Sequence, residues 1–261
     1  MIAKGIIIAG TQSSSGKTAV VALLLAAFRQ HGIPVQPFKV GPDFIDPGYH
    51  QIYAGTTSVN LDAWIMGEAE VRNAAERFTR NAVGVVEGVM GLFDGANPDN
   101  DEGSTIEIAR WLGWPLVVVV PCAHAGRSLV ASIRGFLHEA GPERCLGVIL
   151  NQASSEGHAT YLRKACASLE VPLLGIVPKL PELDWPERHL GLQASPEREL
   201  PEPEVLAELA GRHLEVEPIL EAVNPPAEKR QPLAEVRQPE GVRKRIGVAQ
   251  DAAFHFYYRA N

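Results

Sequence analysis

The sequence predicts an α/β fold with a mostly parallel sheet and helices on both faces, and three observations predict it. Short apolar runs recur at residues 6–8, 35–40, 83–86, 116–120, 146–150 and 173–177. They are nearly continuous rather than alternating, as strands buried on both faces must be. The segments between them carry helical periodicity, and this alternation gathers ligands at the carboxyl ends of a parallel sheet.

The first run, Ile6, Ile7 and Ile8, feeds the loop GTQSSSGKT at residues 10–18, which opens a helix carrying Val20, Val21, Leu23, Leu24 and Leu25. A turn without function is one reading of a Gly-Ser loop. A phosphate cradle explains more. Small residues let backbone N–H groups curl around an anion, and the helix N-terminus adds partial positive charge. Lys17 reaches the outer phosphates, and the Thr18 hydroxyl is placed to ligate Mg²⁺. Gly10, Thr11, Ser13, Ser14, Ser15, Gly16, Lys17 and Thr18 are therefore the expected nucleotide-binding residues of a P-loop NTPase-like domain. One spacing departs from the common pattern, since Gly10 and Gly16 enclose five residues rather than four.

The remaining elements follow in order. Residues 68–81 set Val71, Ala74, Ala75 and Phe78 at three- and four-residue spacing, the stripe of an amphipathic helix. Residues 104–112 begin with Ser104, and Glu107 three positions on completes a capping box. Residues 128–140 and 157–169 read as helices in the same way. Beyond residue 178, Pro181, Pro186, Pro196, Pro201 and Pro203 punctuate a surface segment, and 203–214 predicts one more helix. Residues 223–244, rich in Pro, Glu, Gln, Lys and Arg, read as a linker. Residues 245–249 (RIGVA) then read as a fresh strand, followed by Phe254, Phe256, Tyr257 and Tyr258.

Composition narrows the class. With 46% hydrophobic and 21% charged residues, the chain has the make-up of a globular enzyme. A net charge of −7 argues against a nucleic-acid partner, which needs a basic surface. No apolar run approaches the roughly 20 residues that span a bilayer, and the N-terminal run shows no cleavage-site pattern. Cys122, Cys145 and Cys166 have no CxxC spacing and read as reduced thiols, so a cytoplasmic location is expected.

Carboxylates cluster after two strand ends. Lys39 is followed by Asp43 and Asp46 in KVGPDFIDPG, where an Asp-Pro-Gly turn is the plain alternative. Glu87 ends the run 83–86, and a carboxylate at a buried strand terminus is costly unless it binds a cation or hydrogen bonds. Asp94 is readable alone as a turn residue and becomes a candidate by its company. Acidic groups converging on a phosphate loop suit hard, oxygen-ligated Mg²⁺.

Together these stretches closely resemble the cobyrinic acid a,c-diamide synthase family. The matching segments are residues 10–18, KVGPDFIDPGYH at 39–50, EGVMGLFDG at 87–95, GSTIEIARWL at 103–112, RHLGL at 188–192 and RIGVAQDAAFHFYYRAN at 245–261. The resemblance implies a dethiobiotin synthetase-like domain over residues 1–200, a helix and linker over 201–244, and the first strand of a truncated glutamine amidotransferase domain over 245–261. It implies that ATP phosphorylates a tetrapyrrole carboxylate, with Mg²⁺, and that ammonia attacks the acyl phosphate. Lys17 and the loop amides would hold phosphates, and Thr18, Asp46 and Glu87 would hold the ion. Lys39 would neutralise the transferring phosphoryl group, Asp43 and Asp94 would lie near the acyl phosphate and ammonia, and Asn151 would contact adenine. His189 is assigned a structural hydrogen bond.

Two departures from the family pattern stand out. Pro121 occupies a strand end where relatives commonly carry Asp. None of the three cysteines lies where the glutaminase nucleophile of the longer enzymes would, so ammonia rather than glutamine is the expected nitrogen source. The terminal aromatics are expected to be mobile or to pack on a second copy, which leaves a homodimer open. Alternatives are amidation of another tetrapyrrole such as nickel-sirohydrochlorin, dethiobiotin synthetase-like chemistry, and a partitioning-type ATPase acting on a partner.

Overall fold

The computed structural model describes residues 5–183, 200–223, 247–249 and 257–260. Seven strands form one parallel sheet: β1 (Gly5–Gly10), β2 (Val35–Val40), β3 (Val59–Leu61), β4 (Val83–Glu87), β5 (Leu116–Pro121), β6 (Cys145–Ala153) and β7 (Leu173–Pro178). Their order is β3-β2-β4-β1-β5-β6-β7, and every pairing is parallel. The chain first moves outward from β1 through β2 to β3. It then returns through β4 and continues past β1 to β7, so the central strand marks the reversal where α/β sheets bind ligands.

Period-two alternation sorts each strand's side chains between two cores. Ile6, Ile8, Val117 and Val119 face one layer, which contains α1 (Lys17–Gln30), α2 (Asp46–Ala54), α7 (Pro203–His213) and α8 (Val216–Val223). Ile7, Ala9, Val118 and Val120 face the other, built from α3 (Ala63–Phe78), α4 (Thr105–Leu112), α5 (Leu129–Ala140) and α6 (Glu156–Cys166). α1 is buried on all sides from Ala19 to Phe28, because the sheet lies under it and α2 and α7 flank it. An all-round apolar helix such as VVALLLAAF requires that enclosure. The residues of α7 and α8 join the same core as α1, through Leu206, Ala210, Ile219 and Val223.

The capping box forms at α4: Ser104 Oγ accepts from Glu107 N at 3.3 Å. The Glu107 carboxylate reaches back one residue further than expected, to Gly103 N at 2.8 Å. α3 begins five residues before the apolar stripe suggests, since Asp62 caps it by accepting from Ile65 N. Inside α3, Gly67 (φ 70°, ψ 171°) breaks the helical path after the first turn. β3, α2 and α8 are not anticipated by the sequence patterns.

Residues 188–192 with His189, most of the linker segment, Phe254 and Phe256 lie outside the described residues. Gly247–Ala249, expected as a strand, are in no strand. Tyr258, expected to be mobile or to face another copy, instead packs on its own chain. Its ring stacks on Phe44 with centroids 5.5 Å apart, and its hydroxyl donates to Asp62 Oδ2 at 2.7 Å.

Candidate active site

The loop at residues 11–16 leaves the carboxyl end of β1 and enters α1, as the strand–loop–helix order requires. It is braced from both sides. Thr11 N donates to Val119 O at 3.1 Å, and the Asn151 side-chain amide donates to Ser15 O at 3.0 Å. Gly16 has φ 85°, and a Cβ there would sit 1.9 Å from Asn151 Nδ2, so both backbone geometry and contact demand glycine. Ser14, at φ 57°, shares this left-handed bend. Gln12, Ser13 and Ser14 are exposed at the lip, whereas Ser15 is buried and its hydroxyl has no hydrogen-bond partner.

The expected carboxylates do converge, and the pleat explains how. Lys39 and Glu87 are register partners on β2 and β4. Their neighbours Phe38, Val40 and Val86 face the α3–α6 layer, so Lys39 and Glu87 point to the α1–α2 side. There the head of α1 brings Thr18, whose hydroxyl donates to Glu87 Oε1 at 2.7 Å. α2 brings two more groups one turn apart. Asp46 Oδ2 lies 2.7 Å from Lys39 Nζ, and His50 Nε2 lies 2.6 Å from Glu87 Oε2. Lys39 also contacts Glu87 Oε1 at 3.2 Å, Gly88 O at 3.0 Å and Asp43 Oδ2 at 3.8 Å.

This cluster is buried: Lys39 is 2% exposed, and Glu87 and His50 are fully buried. Burial pushes the Glu87 carboxyl up, but the Lys39 ammonium together with hydrogen bonds from His50 and Thr18 holds it well below the usual carboxylate range. Burial likewise lowers Lys39, and Glu87, Asp46 and Asp43 outweigh it, so its pKa is raised. Both groups therefore stay ionised at neutral pH. Isolated buried ions would be expensive, and the shared pairing and hydrogen bonds are what make these tenable.

The other expected residues occupy distinct positions. Lys17 Nζ donates to Met90 O at 2.6 Å, which ties the phosphate-loop lysine to the segment after β4. Met90 has φ 46°, an uncommon conformation for a side chain with a Cβ. Asp43 caps its own loop, accepting from Ile45 N and Asp46 N at 2.8 and 3.2 Å. Asp94 is exposed and accepts from Gly91 N at 2.9 Å, which is the turn role left open above, beside the phosphate loop at Thr11 O. Asn151, taken from the resemblance as an adenine contact, is buried with its amide committed to Ser15 O. The strand end at Pro121 supplies no carboxylate and pairs in register with Asn151.

The sequence patterns do not single out His50, although its four-residue spacing from Asp46 puts both on one face of a helix that starts at the DPG segment. Ser58, which lies 3.0 Å from His50 Nδ1, had no sequence signal.

The donors suit a hard cation. Mg²⁺ is usually held by one or two carboxylates, with waters and phosphates completing its shell. Thr18 Oγ1 and Glu87 Oε1 offer a hydroxyl and a carboxylate for such a shell, and Glu87 Oε1 and Asp46 Oδ2 both also contact Lys39. Among the described residues no group of three or more His, Cys, Asp or Glu side chains forms a cage for a metal.

A parallel sheet with a Gly-Lys-Thr loop between its first strand and first helix defines a P-loop nucleotide-binding protein. The family is narrower. The CobQ/CobB/MinD/ParA nucleotide binding domain matches residues 6–192, and the chain belongs to that family. Its relatives include the cobyrinate a,c-diamide synthases of Syntrophotalea carbinolica, 41% identical over 262 residues, and Priestia megaterium, 40% identical over 261. A hydrogenobyrinate a,c-diamide synthase of Brucella suis is 39% identical over 259 residues. Each alignment covers 98% of this chain but only 57%, 56% and 59% of the respective relative. The chain thus spans a little over half the length of these proteins. No helix among the described residues is long and apolar enough to cross a membrane.

Proposed function

We propose that this chain is an ATP- and Mg²⁺-dependent amidoligase that converts the a and c carboxylates of cobyrinic acid, or of hydrogenobyrinic acid, to amides. A substrate carboxylate oxygen attacks the γ-phosphorus of ATP, releasing ADP and forming an acyl phosphate. Ammonia then attacks the acyl carbon and inorganic phosphate leaves. The observation that carries this reading is the meeting of the phosphate loop with the Lys39–Glu87 pair, in a chain 41% identical over 98% of its length to a cobyrinate a,c-diamide synthase.

In this reading Lys17 and the loop amides hold the phosphates. Lys39, kept cationic by three carboxylates, offsets charge on the transferring phosphoryl group, where electrostatic stabilisation supplies most of the catalysis. Thr18 and Glu87, with Asp46, would hold Mg²⁺, which would supply Lewis-acid charge for the phosphoryl transfer. His50 fixes the Glu87 carboxylate from behind. Asp43 and Asp94 line the side where acyl phosphate and ammonia meet. Asn151 sets the loop, with adenine beyond it.

The test is to incubate the purified chain with ATP, Mg²⁺ and ammonium and each of cobyrinic acid, hydrogenobyrinic acid and nickel-sirohydrochlorin. Amide products and ADP should appear together, and only with a tetrapyrrole acid present. ATP turnover indifferent to every tetrapyrrole, without amide product, overturns the reading. Product from nickel-sirohydrochlorin alone moves the substrate.

A further inference from the structure

We infer that Trp64 and Ile65, on the first turn of α3, form a platform for the flat apolar face of the substrate's macrocycle; this rests on the reading above. The two adjacent side chains are 77% and 66% exposed, the two most exposed large apolar residues among those described. Isolated apolar residues at a surface need no explanation, but paired ones beside a polar site do.

The position argues for the occupant. β3 pairs with β2 with Val40 opposite Leu61, so the loop after β3 lies next to the loop carrying Asp43 and Asp46. The two are pinned together: Gly41 N donates to Leu61 O at 3.0 Å, and the Asn60 amide donates to Gly41 O and Asp43 O at 2.9 and 2.7 Å. Neighbouring strands stand about 4.8 Å apart, so a macrocycle several such spacings wide reaches from this turn to the buried charges. Its peripheral carboxylate would enter beside Lys39 while its apolar face rests on the indole.

The turn is built as a unit separate from the helix behind it. Asp62 caps it at Ile65 N, Met66 Sδ accepts from Asp62 N at 3.4 Å, and the left-handed Gly67 breaks the helical path immediately after. The two side chains offer a few hundred Å² at most, roughly, which matches the face of a small molecule; a protein partner would have to draw the rest of about 800 Å² from surrounding residues.

The experiment compares wild type with W64A, W64F and the double variant W64A/I65S. It measures amidation kinetics and equilibrium binding of cobyrinic acid and hydrogenobyrinic acid, with circular dichroism to verify folding. W64A should raise KM and Kd for the tetrapyrrole on the order of tenfold, as expected when one aromatic stacking surface is removed. KM for ATP should stay put, W64F should restore most of the affinity, and the double variant should lose more. Unchanged tetrapyrrole KM in a folded W64A/I65S, with wild type active, overturns this inference and leaves the proposed reaction standing. Tetrapyrrole binding by wild type that W64A weakens, but without amide product, overturns the reaction and leaves the platform. Absence of tetrapyrrole binding by wild type overturns both. Conversion of a dimeric wild type to a monomer in W64A/I65S, with tetrapyrrole KM unchanged, assigns the patch to self-association and overturns the platform.

Discussion

The sheet's two halves, divided by β1, end very differently. On one side β2 and β4 carry Lys39 and Glu87 at their carboxyl-terminal ends, buried together and met by Asp46 and His50 from α2. On the other, β5, β6 and β7 run out at Pro121, Ala153 and Pro178, with Asn151 just before the end of β6, and none of these residues carries a formal charge. The phosphate loop lies between them and takes something from each half. The charged half gives it a hydroxyl–carboxylate contact at Thr18, and the neutral half gives it a side-chain brace at Ser15 O. Groups of opposite charge buried within hydrogen-bond reach are strongly coupled, so they suit charge development during group transfer. Neutral amides hold a backbone in place without adding a net charge. In the proposed reaction, chemistry and scaffolding are therefore segregated by strand order.

The largest effects should come from the charged half and its lysine in the loop. Lys17→Ala should lower ATP turnover by roughly 10²–10³-fold or more, the scale of losing one transition-state charge contact. Glu87→Gln should reduce kcat by about 10²-fold on the same scale, with circular dichroism unchanged because the amide keeps the carboxylate's shape. Wild-type turnover and Mg²⁺ dependence in Glu87→Gln would remove this residue from the ion site. Lys39→Met should be the least stable of the three. It strands Glu87 and Asp46 without their cation, and breaking a buried pair from one side costs about 3–5 kcal/mol. Denaturant unfolding is the check, and a Lys39→Met protein as stable as wild type would mean the pair is not buried in solution.

Acid titration sharpens the same comparison. Glu87 has a folded pKa below its unfolded one, so its contribution is present above the usual carboxylate pKa of about 4.3 and is lost as pH falls through the folded value. Lys39 is raised, so its contribution is present below about pH 10.4 and is lost as pH rises through its folded pKa. Unfolding free energies between neutral pH and pH 3 should fall less steeply in Glu87→Gln than in wild type. Identical acid-side slopes would show that Glu87 does not carry this dependence.

Much of the charged half was legible in the sequence. The short near-continuous apolar runs bounded by turn residues read as strands covered on both faces, and a carboxylate closing one of them had to find partners. What was not legible has physical causes. β3 is three residues long, too short for a period-two pattern to register. α2 begins with Asp46-Pro-Gly, where Pro at the first helical turn is as favourable as Pro in a β-turn, so local chemistry alone does not decide. Missing α2 meant missing His50. Tyr258 meets Asp62 across 196 residues of sequence, a separation no local rule spans.

In the neutral half a smaller effect is expected. Asn151→Ala removes the donor to Ser15 O and leaves a buried carbonyl unpaired, a loss of about 1–3 kcal/mol. Part of that should appear as a higher KM for ATP, roughly fivefold to tenfold if about 1 kcal/mol or slightly more of it reaches nucleotide binding, with kcat held within about twofold. A kcat loss matching that of Glu87→Gln would erase the division between the halves.

The smallest effect should come from the cysteines, all three of which are buried in the neutral half or against it. Burial pushes the Cys122 and Cys145 thiols up to about 11 and raises Cys166 as well. Thiols so protonated are poor nucleophiles at neutral pH, whereas glutamine hydrolysis requires a thiolate with a base beside it. Cys122 Sγ lies 3.1 Å from Asn151 O as a donor to that carbonyl, which is a bracing contact behind the loop. Cys122→Ser, Cys145→Ser and Cys166→Ser should therefore leave ammonium-dependent amidation within about twofold, since a hydroxyl can occupy each site and keep the Cys122 hydrogen bond. None of them should change glutamate release from glutamine, measured with and without ATP. A release that one substitution removes would place a working nucleophile in the scaffolding half of the sheet, and the two halves would then not be divided by function.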